Sequence, residues 1–189
     1  VITEGLYREN VKFDDDCTEY RKSLLRELCE GEILNEFSDE FGEENICTNE
    51  AGLVTVDGQE VFGNLLTKVR PLTFDEAREY NDLLVNKDPP DWYWTCTSWS
   101  TKERGWKCSV AVVSPSGNIN NNNYNNSNGV RPFCITGSQS RHQAEIGKDT
   151  KRKRTVLIEV NIKEYQWIEK LSRIMGICIT LIEKLSLAR

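Results

Sequence analysis

Asp91-Trp92-Tyr93-Trp94-Thr95-Cys96 and, one loop later, Lys107-Cys108-Ser109-Val110-Ala111-Val112-Val113 carry the reading of the fold. In the second run Lys107, Ser109 and Ala111 alternate with Cys108, Val110 and Val112, the period-two pattern of a strand. Ser114-Pro115-Ser116-Gly117 closes it as a turn. Four of the five tryptophans, Trp92, Trp94, Trp99 and Trp106, lie in or between these runs. Such rings either form the core of a sheet or offer a platform on which a ligand stacks. The segment therefore predicts strand structure, with about half of these rings in its core.

On the N-terminal side the pattern changes period. Tyr20, Leu24, Leu25 and Leu28 share one helical face. Asp16 with Glu19 reads as a capping box before them, and Gly31 reads as the stop. Ile33, Leu34, Phe37 and Phe41 predict a second short helix ending at Gly42. Asp14-Asp15-Asp16 is either a helix cap with solvated neighbours or a hard-cation ligand set; the cap is the expectation, with no metal required. Residues 43 to 70 read as irregular chain with short strands, turning at Asp57-Gly58 and Gly63-Asn64. Thr73-Phe74-Asp75-Glu76 is a capping box opening a helix through Leu84, which Asp88-Pro89-Pro90-Asp91 ends. Helices and strands together give an α+β class.

On the C-terminal side, residues 118 to 128 read NINNNNYNNSN, with eight asparagines in eleven positions. This tract is either a disordered polar run or an ordered loop or edge strand between strand-like flanks. Gly129-Val130-Arg131-Pro132-Phe133-Cys134-Ile135 returns to the interior.

Charge is divided unevenly. Residues 1 to 100 carry 23 acidic and 9 basic side chains, and residues 101 to 189 carry 7 acidic and 15 basic, within a net charge of −6. This split either offsets itself within the fold or marks an electrostatic partner. The seven cysteines include no Cys-x-x-Cys pair, and His142 is the sole histidine, so a zinc cluster is not expected. Cysteines set among apolar residues, as in Phe133-Cys134-Ile135, read as reduced buried thiols of a cytoplasmic protein. No apolar run reaches the ~18 residues of a membrane span, and no signal peptide is visible.

Several of these pieces fall in a familiar order: Tyr20-x-x-Ser23-x-Leu25-Arg26, Leu34-Asn35-Glu36-Phe37, Asp57-Gly58-Gln59, Val69-x-x-Leu72-Thr73, the aromatic triplet at 92 to 94, Val113-Ser114-x-Ser116-Gly117 and the ending GVRPFCI. This order resembles a family of small domains of unknown function, widespread in gut Firmicutes and their prophages and thought to share the C-type-lectin-like fold. The resemblance covers roughly residues 5 to 136. It implies two early helices, a twisted antiparallel sheet and a long loop region, with Arg131 and Phe133 as fold residues. The Arg is expected to tie loops to the sheet. It carries no catalytic residues. The Glu-Pro-Asn, Gln-Pro-Asp and Trp-Asn-Asp motifs of calcium-dependent sugar binding do not occur. In related phage proteins an Asn-rich surface segment is a site of diversification. The tract here either resembles that or fills a turn-rich loop.

Beyond this body, residues 137 to 154 read as a polar linker ending in a basic cluster that includes Lys151, Arg152, Lys153 and Arg154. That cluster is either solvated or meets nucleic-acid phosphates or an acidic protein face. Residues 155 to 160 alternate like a strand. Ile168, Leu171, Met175, Cys178, Ile182 and Leu185 then follow a heptad seam on a long helix, from which a homodimer is expected.

The function expected is binding without turnover and without a cofactor: a phage or prophage protein recognising a protein partner through the lectin-like domain. The candidate contacts are Trp92, Trp94, Trp99, Trp106, Asn120, Asn122, Tyr124, Asn126, Asp14, Asp15 and Asp16. The alternative is an anti-CRISPR-like inhibitor of a host defence nuclease, whose acidic half occupies a basic channel. An enzyme of the formylglycine-generating type needs a particular active cysteine pair, and nothing singles one out.

Overall fold

The computed structural model describes residues 1–3, 5–85 and 91–137, all within one compact unit. The linker, Lys151 to Arg154, the C-terminal strand and helix, and the dimer seam lie outside the described residues.

The fold is α+β. Its main sheet has five strands in the order β1-β9-β6-β7-β8, where β1 is Arg8–Lys12, β6 Tyr93–Ser98, β7 Ser109–Val113, β8 Ile119–Asn123 and β9 Ser127–Val130. A second sheet joins β2 (Ile46–Cys47), β10 (Phe133–Thr136) and β5 (Val69–Arg70), and β3 (Asn49–Gly52) pairs with β4 (Asn64–Thr67) as a hairpin. The expected all-antiparallel sheet needs one correction: β6 meets β9 in a parallel pairing at Tyr93 and Gly129. The alternation read at 107–113 does not separate an inner from an outer face either. Every residue of β6 and β7 is buried, because these central strands are covered on both sides.

The first helix also departs from its reading. Ser23, not Asp16, caps it, accepting from the Arg26 N–H at 3.1 Å. The helix runs without a break through α1 (Leu24–Leu28), a π-helical segment (Cys29–Ile33) and α2 (Leu34–Phe41), so Gly31 is no stop. Leu25, Cys29, Ile33, Phe37 and Phe41 are its buried residues, each four apart. At 3.6 residues per turn a four-residue step overshoots by ~40°, and four steps would swing the stripe by roughly 160°. The wider π turn takes up part of that drift and keeps the five side chains on the core. Leu24, expected on the same face, points outward at 44% exposure. At Gly42 φ reaches +82°, the left-handed conformation that ends the helix.

The capping box at Thr73 and Glu76 opens α3 (Phe74–Glu79) as expected, and α4 (Asn81–Leu84) follows after a kink at Tyr80. Arg131 ties loops to the sheet: buried in full, it donates to Thr3 O at 3.1 Å, Leu84 O at 3.2 Å and Tyr93 Oη at 3.3 Å. Gly129 is required by close approach, since a Cβ there would stand 2.5 Å from the Leu6 side chain. Residues 1–3 also belong to this body: Ile2 bridges Phe133, and the Cys134 N–H donates to Val1 O at 3.0 Å. Among the described residues no helix is long and apolar enough to cross a membrane.

Candidate functional site

Three stretches far apart in sequence meet at one end of the main sheet. The Phe13 and Asp14 N–H groups donate to Tyr124 O at 3.0 and 3.1 Å, and Tyr124 N–H donates to Cys108 O at 2.8 Å. Trp99 N–H donates to Ser109 O at 2.9 Å. Residues 13–19, 99–108 and 124–126 therefore share this end, and with them come Asp14, Asp15, Asp16, Trp99, Trp106, Tyr124 and Asn126.

The acidic triplet divides there. Asp14 is buried. Its Oδ1 accepts from the N–H groups of Asp16 at 2.9 Å and Cys17 at 3.2 Å, and its Oδ2 from Leu24 at 3.0 Å. Burial raises its pKa, but these main-chain donors outweigh that and hold it below the ordinary carboxylate value. Asp14 is therefore a folding residue, which removes it from the binding set. Asp15 pairs with Lys12 at 3.0 Å, and Asp16 is exposed. Asp14, Asp16 and Cys17 do place one possible ligand atom each within 4.8 Å of one another. Asp14 has both oxygens engaged by the backbone, however, and burial pushes the Cys17 thiol up to about 11. A protonated sulfur and an occupied carboxylate are a poor donor set for a hard cation.

The 99–107 loop is clamped from the turn at residues 55–59. Asp57 accepts from the hydroxyls of Thr55 and Ser100 (the latter at 2.7 Å), from Gln59 Nε2 at 3.0 Å and from Arg104 Nη1 at 3.4 Å. Thr101 Oγ1 donates to Gln59 Oε1 at 3.2 Å. The hydrogen bonds from Thr55, Gln59 and Ser100 hold the Asp57 carboxyl down at about 2. Its folded pKa is depressed, so the clamp is complete above the ordinary carboxylate range near pH ~4 and is lost as pH falls toward 2. Trp99 and Trp106 fluorescence should report the loosening over that interval, and in Asp57→Asn the acid transition should disappear.

Below this loop lies a groove of about 430 Å³. Asp16 and Glu19 line it from the first stretch, Val61 and Phe62 from the turn before β4, and Lys102 and Lys107 from the clamped loop. Val61 is 67% exposed. Among the described residues neither lysine has an ion-pair partner, whereas Glu19 pairs with Lys22 at 2.6 Å. Trp99 and Trp106 stand beside each other on the loop with ring centroids 6.3 Å apart, and Trp106 is 44% exposed.

The other candidate residues sort differently. Trp94 is fully buried; its indole N–H donates to Val11 O at 2.7 Å and its ring packs edge-on against Phe13. It is core and cannot reach a ligand, which corrects the expectation. Trp92 packs, partly buried, on the same core. Asn120 and Asn122 lie on β8, the edge strand, so the Asn tract is ordered.

Two features escape the sequence reading. Arg70 is 1% exposed and bound two-pronged by Glu76. Residues 27–44 also carry eight carboxylates and no Lys or Arg, six of them on the continuous helix and Glu43 and Glu44 just past Gly42, a clustering that a whole-chain charge count hides. The thiols are structural: burial pushes Cys29 and Cys96 up to about 12 and Cys134 to about 11, and all six described cysteines are free.

No family model, curated protein or solved structure matches this chain.

Proposed function

We propose that this chain is a non-enzymatic protein-recognition domain on a C-type-lectin-like frame. Its contact face is the loop-built end of the main sheet. One observation carries the reading: residues 13–19, 99–108 and 124–126 are held together there by main-chain hydrogen bonds, with Trp106 exposed on the clamped loop and, beside it in sequence, a groove lined by Lys102 and Lys107, neither of which has an ion-pair partner among the described residues. A rigidly clamped loop presenting an indole is how recognition surfaces gain contact area at low entropic cost. The frame reading is supported by the early helical segment, the strand-rich body and the tying role of Arg131. The resemblance of the GVRPFCI ending extends the proposal to a phage or prophage protein acting in the host cytoplasm.

A second reading has its own observation. Across the acidic segment of residues 27–44, Arg8 engages Glu32 and Glu36, Arg26 engages Glu30, and Lys68 engages Glu43. Glu27, Asp39, Glu40 and Glu44 have no cation among the described residues. This surface suits a basic partner, as an inhibitor of a nucleic-acid-binding defence nuclease requires.

The two readings separate in one experiment. A partner recovered at low salt is titrated against Trp106→Ala and against the quadruple variant Glu27→Gln, Asp39→Asn, Glu40→Gln, Glu44→Gln. The loop face predicts a loss of roughly thirtyfold or more for Trp106→Ala, the scale of an interface hot spot, with shallow salt dependence. The acidic face predicts the reverse: steep weakening with salt and a loss confined to the quadruple variant. Full affinity in both variants would overturn both.

A further inference from the structure

We propose that the asparagines of β8 seal the free edge of the main sheet, and that this is why a strand of this composition exists. β8 is the last strand in the sheet, paired with β7 on one side only. Its ladder phase is fixed by Tyr124 N–H bonding Cys108 O at one end and Ser114 N–H bonding Asn118 O at the other. In an antiparallel ladder the main-chain groups of alternate residues face the partner. Asn118, Asn120, Asn122 and Tyr124 therefore turn theirs to β7, and Ile119, Asn121 and Asn123 turn theirs outward. Outward N–H groups on an edge are a template for another strand.

Here two of the three are taken, and among the described residues only the Ile119 N–H at the start of the strand is left open. The Asn121 N–H donates to Asn120 Oδ1 at 2.8 Å, and the Asn123 N–H donates to Asn122 Oδ1 at 2.9 Å. Each cap comes from the residue before, whose own backbone faces the ladder. The Asn122 amide also holds the turn: Asn126 Nδ2 donates to its Oδ1 at 2.7 Å, and its Nδ2 donates to Asn128 Oδ1 at 3.2 Å. Asn is a weak strand former, so its use at these positions costs propensity. In return, its short amide reaches the neighbouring N–H without leaving the strand. Over Asn121 to Asn123 the edge is therefore a poor template for strand addition, by a second copy or by an extended peptide.

Hydrogen exchange and sedimentation on the full chain test this. Asn120→Val removes the first cap and favours the strand. The Asn121 amide should exchange about tenfold faster, the equivalent of one net hydrogen bond, while the Asn123 amide stays unchanged as an internal reference. The double variant Asn120→Val, Asn122→Val should self-associate at concentrations where the parent does not. Asn121→Val, Asn123→Val adds the same apolar surface, keeps both caps, and should behave as the parent. An unchanged Asn121 amide in Asn120→Val overturns the proposal. Equal association of the two double variants overturns it as well, because added apolarity alone would then account for the result.

Discussion

Replacing Glu76 with Ala should cost about 3–5 kcal/mol of folding stability, the range for breaking a buried ion pair by removing one partner. The reason lies with the residue left behind. Arg70 is 1% exposed, and Glu76 meets it at 2.6 and 2.7 Å through both carboxylate oxygens. Asn49 Oδ1 and Pro71 O accept the other donors at 3.1 Å each, and the guanidinium lies over the Phe133 ring, 5.0 Å from its centroid. Burial alone would push the Glu76 carboxyl up, but Arg70 and the Thr73 N–H override it and hold the pKa below the ordinary value. Without Glu76 the guanidinium stays buried with only neutral acceptors, and the capping box on Thr73 is lost too. A domain stable by ~5–15 kcal/mol would be brought close to its limit. Urea unfolding at neutral pH measures this, as a lower midpoint at unchanged slope. Glu76→Gln should lose less, since one neutral acceptor remains. A loss below ~1 kcal/mol in Glu76→Ala, the range of an exposed ion pair, would mean that the pair contributes as little as a surface one.

Trp94→Ala should fall in a similar range, about 3–5 kcal/mol, the cost of emptying a buried tryptophan site. The ring is fully buried, packs against Phe13 at 5.7 Å between centroids, and gives its N–H to Val11 O on β1. The substitution leaves a cavity between the sheet and the N-terminal segment and an acceptor without its donor. Trp106→Ala, on a loop at 44% exposure, should change stability by no more than ~0.5 kcal/mol while acting on binding as argued above. Calorimetry of the two variants side by side checks the contrast. Similar losses in both would place the two rings in equivalent environments, against the structure.

That contrast shows how far the chain could be read from its letters. Trp94 and Trp106 are the same residue in one aromatic cluster, and no local pattern separates them. One lies on a central strand covered on both faces; the other lies exposed on a loop that Asp57 clamps to the turn at residues 55–59. Asp14 and Asp16 repeat the lesson: only the folding-back of Leu24 and the meeting with Tyr124 bury the first and leave the second in solvent. Gly31 reads as a stop because glycine is poor in an isolated helix. Five buried side chains spaced by four outweigh that penalty and carry the helix through it as a π segment. The Asn tract reads as disorder, an ordered loop or an edge strand because asparagine's local preferences single out none of them; the pairing with β7 settles it. Interactions within one turn of chain are legible directly: the Thr73–Glu76 box, the turns at Gly58 and Gly63, the strands on either side of the 99–108 loop and the mixed α+β class. They involve groups three or four residues apart whose geometry covalent structure nearly dictates. Burial, pairing partner and the gathering of remote loops into one face depend on which surfaces meet, and that is settled by the packing of the whole chain.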